Sequence, residues 1–155
     1  MAYLYNYLPE KIYPVGYASG CFDLFHIGHL RYLQRAATCC EQLIVGLPVD
    51  AIVKANKGKN PINTCEQRME IIAALRCVTQ VVRAEISAAH TDAYVDFIRQ
   101  LGINGVFIGE DWRGTPRWQP LEPILRTHGI NVHFLSRTPD ISTTLIKQSI
   151  PSREL

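Results

Sequence analysis

Short apolar runs alternate with amphipathic stretches along most of this 155-residue sequence, and this alternation limits the possible folds most strongly. The apolar runs have the length of buried strands and comprise residues 13–18, 42–47, 78–82, 104–108 and 131–135. Between them, stretches such as 30–37 and 91–101 carry apolar residues at helical spacing. With right-handed crossovers, this pattern predicts an α/β fold: a Rossmann-like, doubly wound parallel sheet with helices on both faces.

Local signals set several boundaries of these elements. Thr64 and Gln67 have the spacing of a capping box and predict a helix that runs through Leu75. Gly102 is typical of a helix end, and Ser142 is expected to cap a last helix that reaches about residue 150. Because such sheets bind ligands at the carboxyl ends of their strands, the site should form from the loops 19–29, 54–61, 109–116 and 137–142.

Composition narrows the function classes further. Apolar residues make up 47% and charged residues 19%, with a net charge of +2, so we expect a single domain over 1–155 with 1–12 as an N-terminal extension. This weak charge predicts neither a nucleic-acid nor a membrane partner. No apolar run approaches the roughly 20 residues of a membrane helix, and we expect a cytoplasmic protein. Five cysteines without a C-x-x-C pair indicate neither a disulfide framework nor a zinc site.

The loop after the first strand carries the clearest chemical signal. Residues 20–29 read G-C-F-D-L-F-H-I-G-H and place His29 at a helix start, where free backbone N–H groups attract phosphate. His26 adds a second imidazole, and Gly28 permits close approach of the backbone. A metal site would need a third ligand, and a dinucleotide fingerprint would need G-x-G-x-x-G. Two ordinary packed histidines are the remaining alternative.

This segment resembles the H-x-G-H motif of the nucleotidyltransferase superfamily, which includes cytidylyltransferases. Residues 137–144, R-T-P-D-I-S-T-T, resemble a second motif of the same superfamily, R-T-x-x-I-S-T-T. Together with residues 109–112, they make the chain most similar to glycerol-3-phosphate cytidylyltransferases. The resemblance implies nucleotidyl transfer from CTP to a phosphorylated alcohol, with release of pyrophosphate and formation of a CDP-activated alcohol.

The resemblance also implies roles for individual residues. The catalytic residues are expected to be His26, His29 and Lys59. The nucleotide is expected to contact Cys21, Phe22, His26, Gly28, His29, Lys59, Arg137, Thr138, Ile141, Ser142, Thr143 and Thr144. The acceptor is expected to contact Lys57, Arg76, Asp111 and Trp112. Independently of the resemblance, the eight-residue spacing of Arg68 and Arg76 predicts that they share a helix face. Mg²⁺ is expected to be carried by the triphosphate, with no metal site of the protein's own, and a homodimer is expected.

Two departures from the family pattern keep other functions open. Pro139 and Asp140 stand in the second motif, and residues 86–94 lack the lysine expected beside the acceptor. One alternative is an adenylyltransferase of the same fold that uses ATP and acts on a sugar phosphate or FMN. The other is a non-catalytic nucleotide-binding module.

Overall fold

The computed structural model describes residues 11–150, and strands and helices alternate along them as the sequence predicts. Their bounds are β1 Tyr13–Ser19, α1 Ile27–Thr38, β2 Cys40–Pro48, α2 Asp50–Lys57, α3 Cys65–Ala73, β3 Gln80–Ala84, α4 Thr91–Gln100, β4 Gly105–Gly109, α5 Trp118–Thr127, β5 Asn131–Leu135 and α6 Thr143–Ser149. A 3₁₀ turn at Glu110–Trp112 follows β4. Residues 1–10 of the expected N-terminal extension lie outside the described residues.

The strands form one parallel sheet in the order β3-β2-β1-β4-β5. In register, Tyr17 of β1 lies between Ile44 of β2 and Val106 of β4. The chain winds outward from β1 to β3 and then returns to place β4 on the other side of β1. The predicted doubly wound fold is therefore confirmed, and its switch point lies between β1 and β4.

Apolar side chains pack on both faces of this sheet. On one face, Tyr17 and Val106 pack with residues of α4 and α5 such as Leu121. On the other, Phe107 packs with residues of α1 and α3, such as Leu33. Within residues 11–150, no helix is long and apolar enough to cross a membrane.

The helix α2 corrects one prediction, because residues 54–57 of the expected basic loop belong to it. Asp50 in its first turn and Lys54 and Lys57 in its last turn suit the helix dipole, Val53 is buried, and Gly58 ends the helix at φ 75°. The helix has only eight residues, and among them Val53 alone is buried.

Two other boundaries differ from the prediction. Thr64 and Gln67 do form the capping box of α3, but this helix ends at Ala73 rather than at Leu75. The third strand begins at Gln80 rather than at residue 78, because the Val78 N–H bonds the Leu75 carbonyl in a turn.

Candidate active site

A cavity of about 480 Å³ opens at the carboxyl ends of β1, β4 and β5, at the switch point of the sheet. It gathers most of the residues predicted for the site: Cys21, Phe22, His26, Gly28, His29, Lys57, Asp111, Trp112, Arg137, Thr138, Ile141, Ser142, Thr143 and Thr144. A second cavity of about 360 Å³ adjoins it and includes Lys59, the remaining predicted catalytic residue. These residues come from four separate segments of the chain, which the parallel topology brings to one edge.

His26 and His29 lie at the start of α1 with their rings stacked, at a centroid distance of 3.7 Å. The Gly28 N–H donates to His26 Nδ1 over 3.0 Å, and the His26 N–H donates to His29 Nδ1 over 3.3 Å. Because each Nδ1 accepts a hydrogen bond, the proton of each neutral ring is on Nε2. Both imidazoles line the cavity and are set to donate an Nε2–H to an anion.

The surroundings of this pair favour the neutral form of each ring. Burial lowers the pKa of His26. Burial, together with the charges of His26 and Lys57, lowers the pKa of His29 to about 3. Two imidazolium ions stacked so closely would repel each other, which agrees with the direction of both shifts. At neutral pH the pair therefore donates hydrogen bonds without carrying charge.

Gly28 has a steric reason to lack a side chain. A Cβ at this position would lie 2.9 Å from Cε1 of His26 and 3.1 Å from Cγ2 of Ile141. The ring of His26 has little freedom to move, because it is stacked on His29 and bonded to the Gly28 N–H. The glycine of the H-x-G-H motif thus leaves the space that the imidazole of His26 occupies.

Asp23 connects the loop after β1 with two other segments of the site. Its buried carboxylate accepts N–H groups from Ile62 and Asn63, each over 2.9 Å, and its carbonyl oxygen accepts the hydroxyl of Thr143. Burial acts to raise the pKa of Asp23, but the two amides and the nearby Lys147 outweigh it, and the pKa is lower than usual. Asp23 fixes the histidine loop through hydrogen bonds.

Arg68 joins three loops beneath the site and is fully buried. Its guanidinium donates to the carbonyl oxygens of Cys21, Pro48 and Asn63 over 2.9–3.1 Å. It also pairs with the Asp50 carboxylate over 2.7 Å. Arg68 therefore anchors the loop that carries Cys21, and it lines neither cavity.

The loops after β4 and β5 contact each other and line the first cavity. Arg137 forms an ion pair with Asp111, and its backbone N–H donates to Glu110. Trp112 is 38% exposed, and the guanidinium of Arg117 lies 5.1 Å from its ring centroid. An exposed indole at a cavity wall can stack on a flat ring.

The hydroxyl residues before and within α6 line the same cavity as the histidines. Ser142 caps α6 by accepting the Leu145 N–H, and its own hydroxyl proton is left for another acceptor. Thr143 already donates to the Asp23 carbonyl, whereas Thr144 is exposed at the cavity. The capping role and a phosphate-binding role of Ser142 are compatible.

Arg76 is the predicted site residue that the structure does not bring to the cavity. It lies in the exposed turn between α3 and β3, near the amino ends of the strands and away from the cavity. The prediction that it shares a helix face with Arg68 is wrong, because α3 ends at Ala73, where the N–H groups of Ala74 and Leu75 turn back.

Sequence reasoning missed several residues at the cavities, among them Tyr32 and Lys147. Tyr32 lines the first cavity and donates its hydroxyl to the Phe107 carbonyl over 2.7 Å. Its position three residues after His29 on α1 was a signal, because residues at this spacing share a helix face. Lys147 lines the second cavity, and its place one turn after Thr143 was the corresponding signal.

Residues 17–149 match the family model described as cytidylyltransferase-like. The chain belongs to this family of nucleotidyltransferases. FAD synthase from Thermococcus onnurineus is 35% identical over 138 residues, which are 86% of this chain and 88% of that protein. Bifunctional protein HldE from Pelobacter propionicus is 34% identical over 138 residues, or 88% of this chain. The chain spans 27% of that HldE protein.

Two solved structures share the fold of this chain. The lipopolysaccharide core biosynthesis protein from Thermoplasma volcanium superposes with a TM-score of 0.64 at 22% identity, covering 80% of this chain and 95% of that chain. The pantoate–β-alanine ligase from Francisella tularensis gives a TM-score of 0.56 at 13% identity, covering 86% and 67%. At these identities the structures support the fold alone.

Proposed function

We propose that this protein transfers an adenylyl group from ATP to the phosphate of a small acceptor and releases pyrophosphate. We choose ATP because the chain is similar to FAD synthase over most of the length of both proteins. FAD consists of FMN joined to an adenylyl group, so FMN is one candidate acceptor and a sugar phosphate is the other. The stacked histidines at the switch point supply the donors that such a reaction needs.

Cytidylyl transfer to glycerol 3-phosphate is the second candidate. It is supported by residues 109–112 and 137–144, whose sequences resemble that branch and most of which line the first cavity. The family's chemistry is the same for either base. The two candidates differ only in the base and in the acceptor.

In either case the acceptor itself provides the nucleophile. An oxygen of its phosphate attacks the α-phosphorus of the triphosphate, and the bond from that phosphorus to the bridging oxygen breaks. Pyrophosphate leaves with the electron pair, and a new diphosphate linkage remains on the acceptor. Catalysis then consists of positioning and of stabilising charge, and it needs no thiol nucleophile from Cys21.

The histidines act on the charge that develops at the leaving oxygen. Their Nε2–H groups are held toward the cavity by the backbone bonds to each Nδ1, so the donors are oriented before the substrate arrives. A neutral donor strengthens its hydrogen bond as the oxygen gains charge, and this stabilises the transition state more than the ground state. Lys57, which lines both cavities, and Lys59, which lines the second, add positive charge beside the site.

Mg²⁺ would neutralise part of the triphosphate charge. Among residues 11–150, no group of three or more histidine, cysteine or acidic side chains could hold a metal ion. The carboxylate of Asp23 faces the site, but it already accepts two backbone N–H groups. Such an ion would be held by phosphate oxygens and water.

Pyrophosphate release with Mg²⁺ tests the proposal. ATP and CTP would each be combined with FMN, a heptose phosphate and glycerol 3-phosphate, and ³¹P NMR would identify the new diphosphate. We expect turnover with ATP and either FMN or the sugar phosphate. Turnover confined to CTP would replace the first candidate by the second. Thermal stabilisation by nucleotide without any turnover would indicate a binding module instead.

A further inference from the structure

The indole of Trp112 lines the first cavity without being packed into the core. Within residues 11–150, Trp112 belongs to neither of the two apolar clusters on the faces of the sheet. Its backbone is fixed by a turn, in which the hydroxyl and the N–H of Thr115 donate to the Trp112 carbonyl over 2.8 and 3.2 Å. These bonds hold the main chain but do not select the rotamer of the indole. The orientation of the ring therefore depends on what contacts the ring itself.

The side chain of Arg117 makes such a contact. The centre of its guanidinium lies 5.1 Å from the indole centroid, within the range of a cation–π interaction. Nη2 of the same guanidinium donates to Oδ1 of Asn56 over 2.9 Å. An arginine can form both contacts at once, because its charged group is planar and carries N–H donors along its edge. Arg117 is half-buried and lines neither cavity, so it acts on the site through these two partners.

The two partners of Arg117 belong to separate segments of the chain. Asn56 lies in the last turn of α2, which follows β2, whereas Trp112 lies in the 3₁₀ turn after β4. The strands β2 and β4 are the two neighbours of β1 in the sheet. Lys57, the residue after Asn56, lines the first cavity as Trp112 does. Arg117 therefore connects two parts of the cavity wall that no local contact joins.

We propose that Arg117 is a positioning residue, which holds the indole of Trp112 against the end of α2 and thereby sets the affinity for the acceptor. The proposal rests on the proposed function only for the acceptor, which the family resemblance places beside Trp112. A wall that is already ordered loses less conformational freedom on binding. Loss of Arg117 therefore weakens acceptor binding, whereas the transfer step, which the histidines serve, is unchanged.

Acrylamide quenching of tryptophan fluorescence tests the contact without any turnover. The chain has two tryptophans, and Trp118 is only 3% exposed, so the quenchable signal comes from Trp112. Arg117→Met should raise the quenching constant, because methionine has neither the charge nor the donors that hold the ring. The matched control is Arg113→Met, which removes a positive charge from the same loop. Arg113 lies over the ring of Phe134, at 4.6 Å from its centroid, and its variant should keep the wild-type quenching constant.

The KM of the acceptor tests the consequence for binding. Arg117→Met should raise this KM about three- to tenfold, because a cation–π contact and a hydrogen bond are lost. Its kcat should change by less than about twofold. Arg117→Lys, which keeps the charge but not the planar group, should restore only part of the wild-type KM. Asn56→Ala should raise KM by itself and add nothing to Arg117→Met, because the bond that it removes is already lost.

The outcomes separate this proposal from the proposed function. A wild-type quenching constant in Arg117→Met, or an equal increase in Arg113→Met, would overturn the positioning role. So would an unchanged KM in Arg117→Met, a loss confined to kcat, or a further loss when Asn56→Ala is added to it. A protein without turnover in which Arg117→Met still exposes the indole would support the positioning of Trp112 and refute the transferase function.

Discussion

Acidification should destabilise the folded protein through His29, and the size of the effect follows from its surroundings. Burial lowers its pKa to about 3 in the folded protein, against about 6.5 in an unfolded chain. Between these values the unfolded chain binds more protons, so stability is lost as the pH falls. Linkage then gives a loss of about 2 kcal/mol in the free energy of unfolding from this one group between pH 7 and pH 5.

Urea unfolding at both pH values measures this loss, and His29→Asn is the matched control. The asparagine carbonyl can still accept the His26 N–H, but the side chain does not titrate. The wild-type protein should therefore lose about 2 kcal/mol more than the variant does over this pH interval. Equal losses in the two proteins would refute the reasoning that His29 is neutral and held through Nδ1.

Two further substitutions test the packing around the site. Gly28→Ala should lower kcat by at least about tenfold, because the added Cβ would lie 2.9 Å from Cε1 of His26. A wild-type rate of pyrophosphate release would contradict this. Arg68→Met should lower the free energy of unfolding by about 3–5 kcal/mol, because three carbonyl groups and a carboxylate lose a buried partner. A loss below about 1 kcal/mol in urea unfolding would show that the loops are held in another way.

The parts of the fold that could be predicted are those with a local physical signal. The Thr64 and Gln67 side chains form a reciprocal cap, and Gly102 and Gly129 adopt positive φ where helices end. The helix α2 was missed because it has only eight residues and its last turn lies in the lysine-rich segment that resembles a loop. The start of β3 was misplaced because Val78 and Thr79 have the β-branched side chains typical of a strand, whereas the Val78 N–H turns back to the Leu75 carbonyl.

The same distinction applies to the site. Hydrogen bonds connect His26 with Gly28 and His29 within one helical turn. Their arrangement could therefore be predicted from neighbouring residues of the sequence. The anchoring role of Arg68 and the position of Lys147 depend on contacts with Cys21 and Asp23 across the fold. Those contacts cannot be inferred from sequence spacing alone. The same spacing predicted that Arg76 lies on a helix, whereas α3 ends at Ala73 and Arg76 lies in the turn that follows.

The kcat of His29→Asn tests the central claim most directly, with nucleotide affinity measured on the same protein. The claim is that Nε2–H donors at the switch point stabilise the departing pyrophosphate oxygen. It predicts a loss of about 10²–10³ in kcat, because one preorganised donor is removed. The Kd of the nucleotide should change by less than about threefold, because the lost interaction is strongest in the transition state. A kcat near the wild-type value in the folded variant would contradict the account.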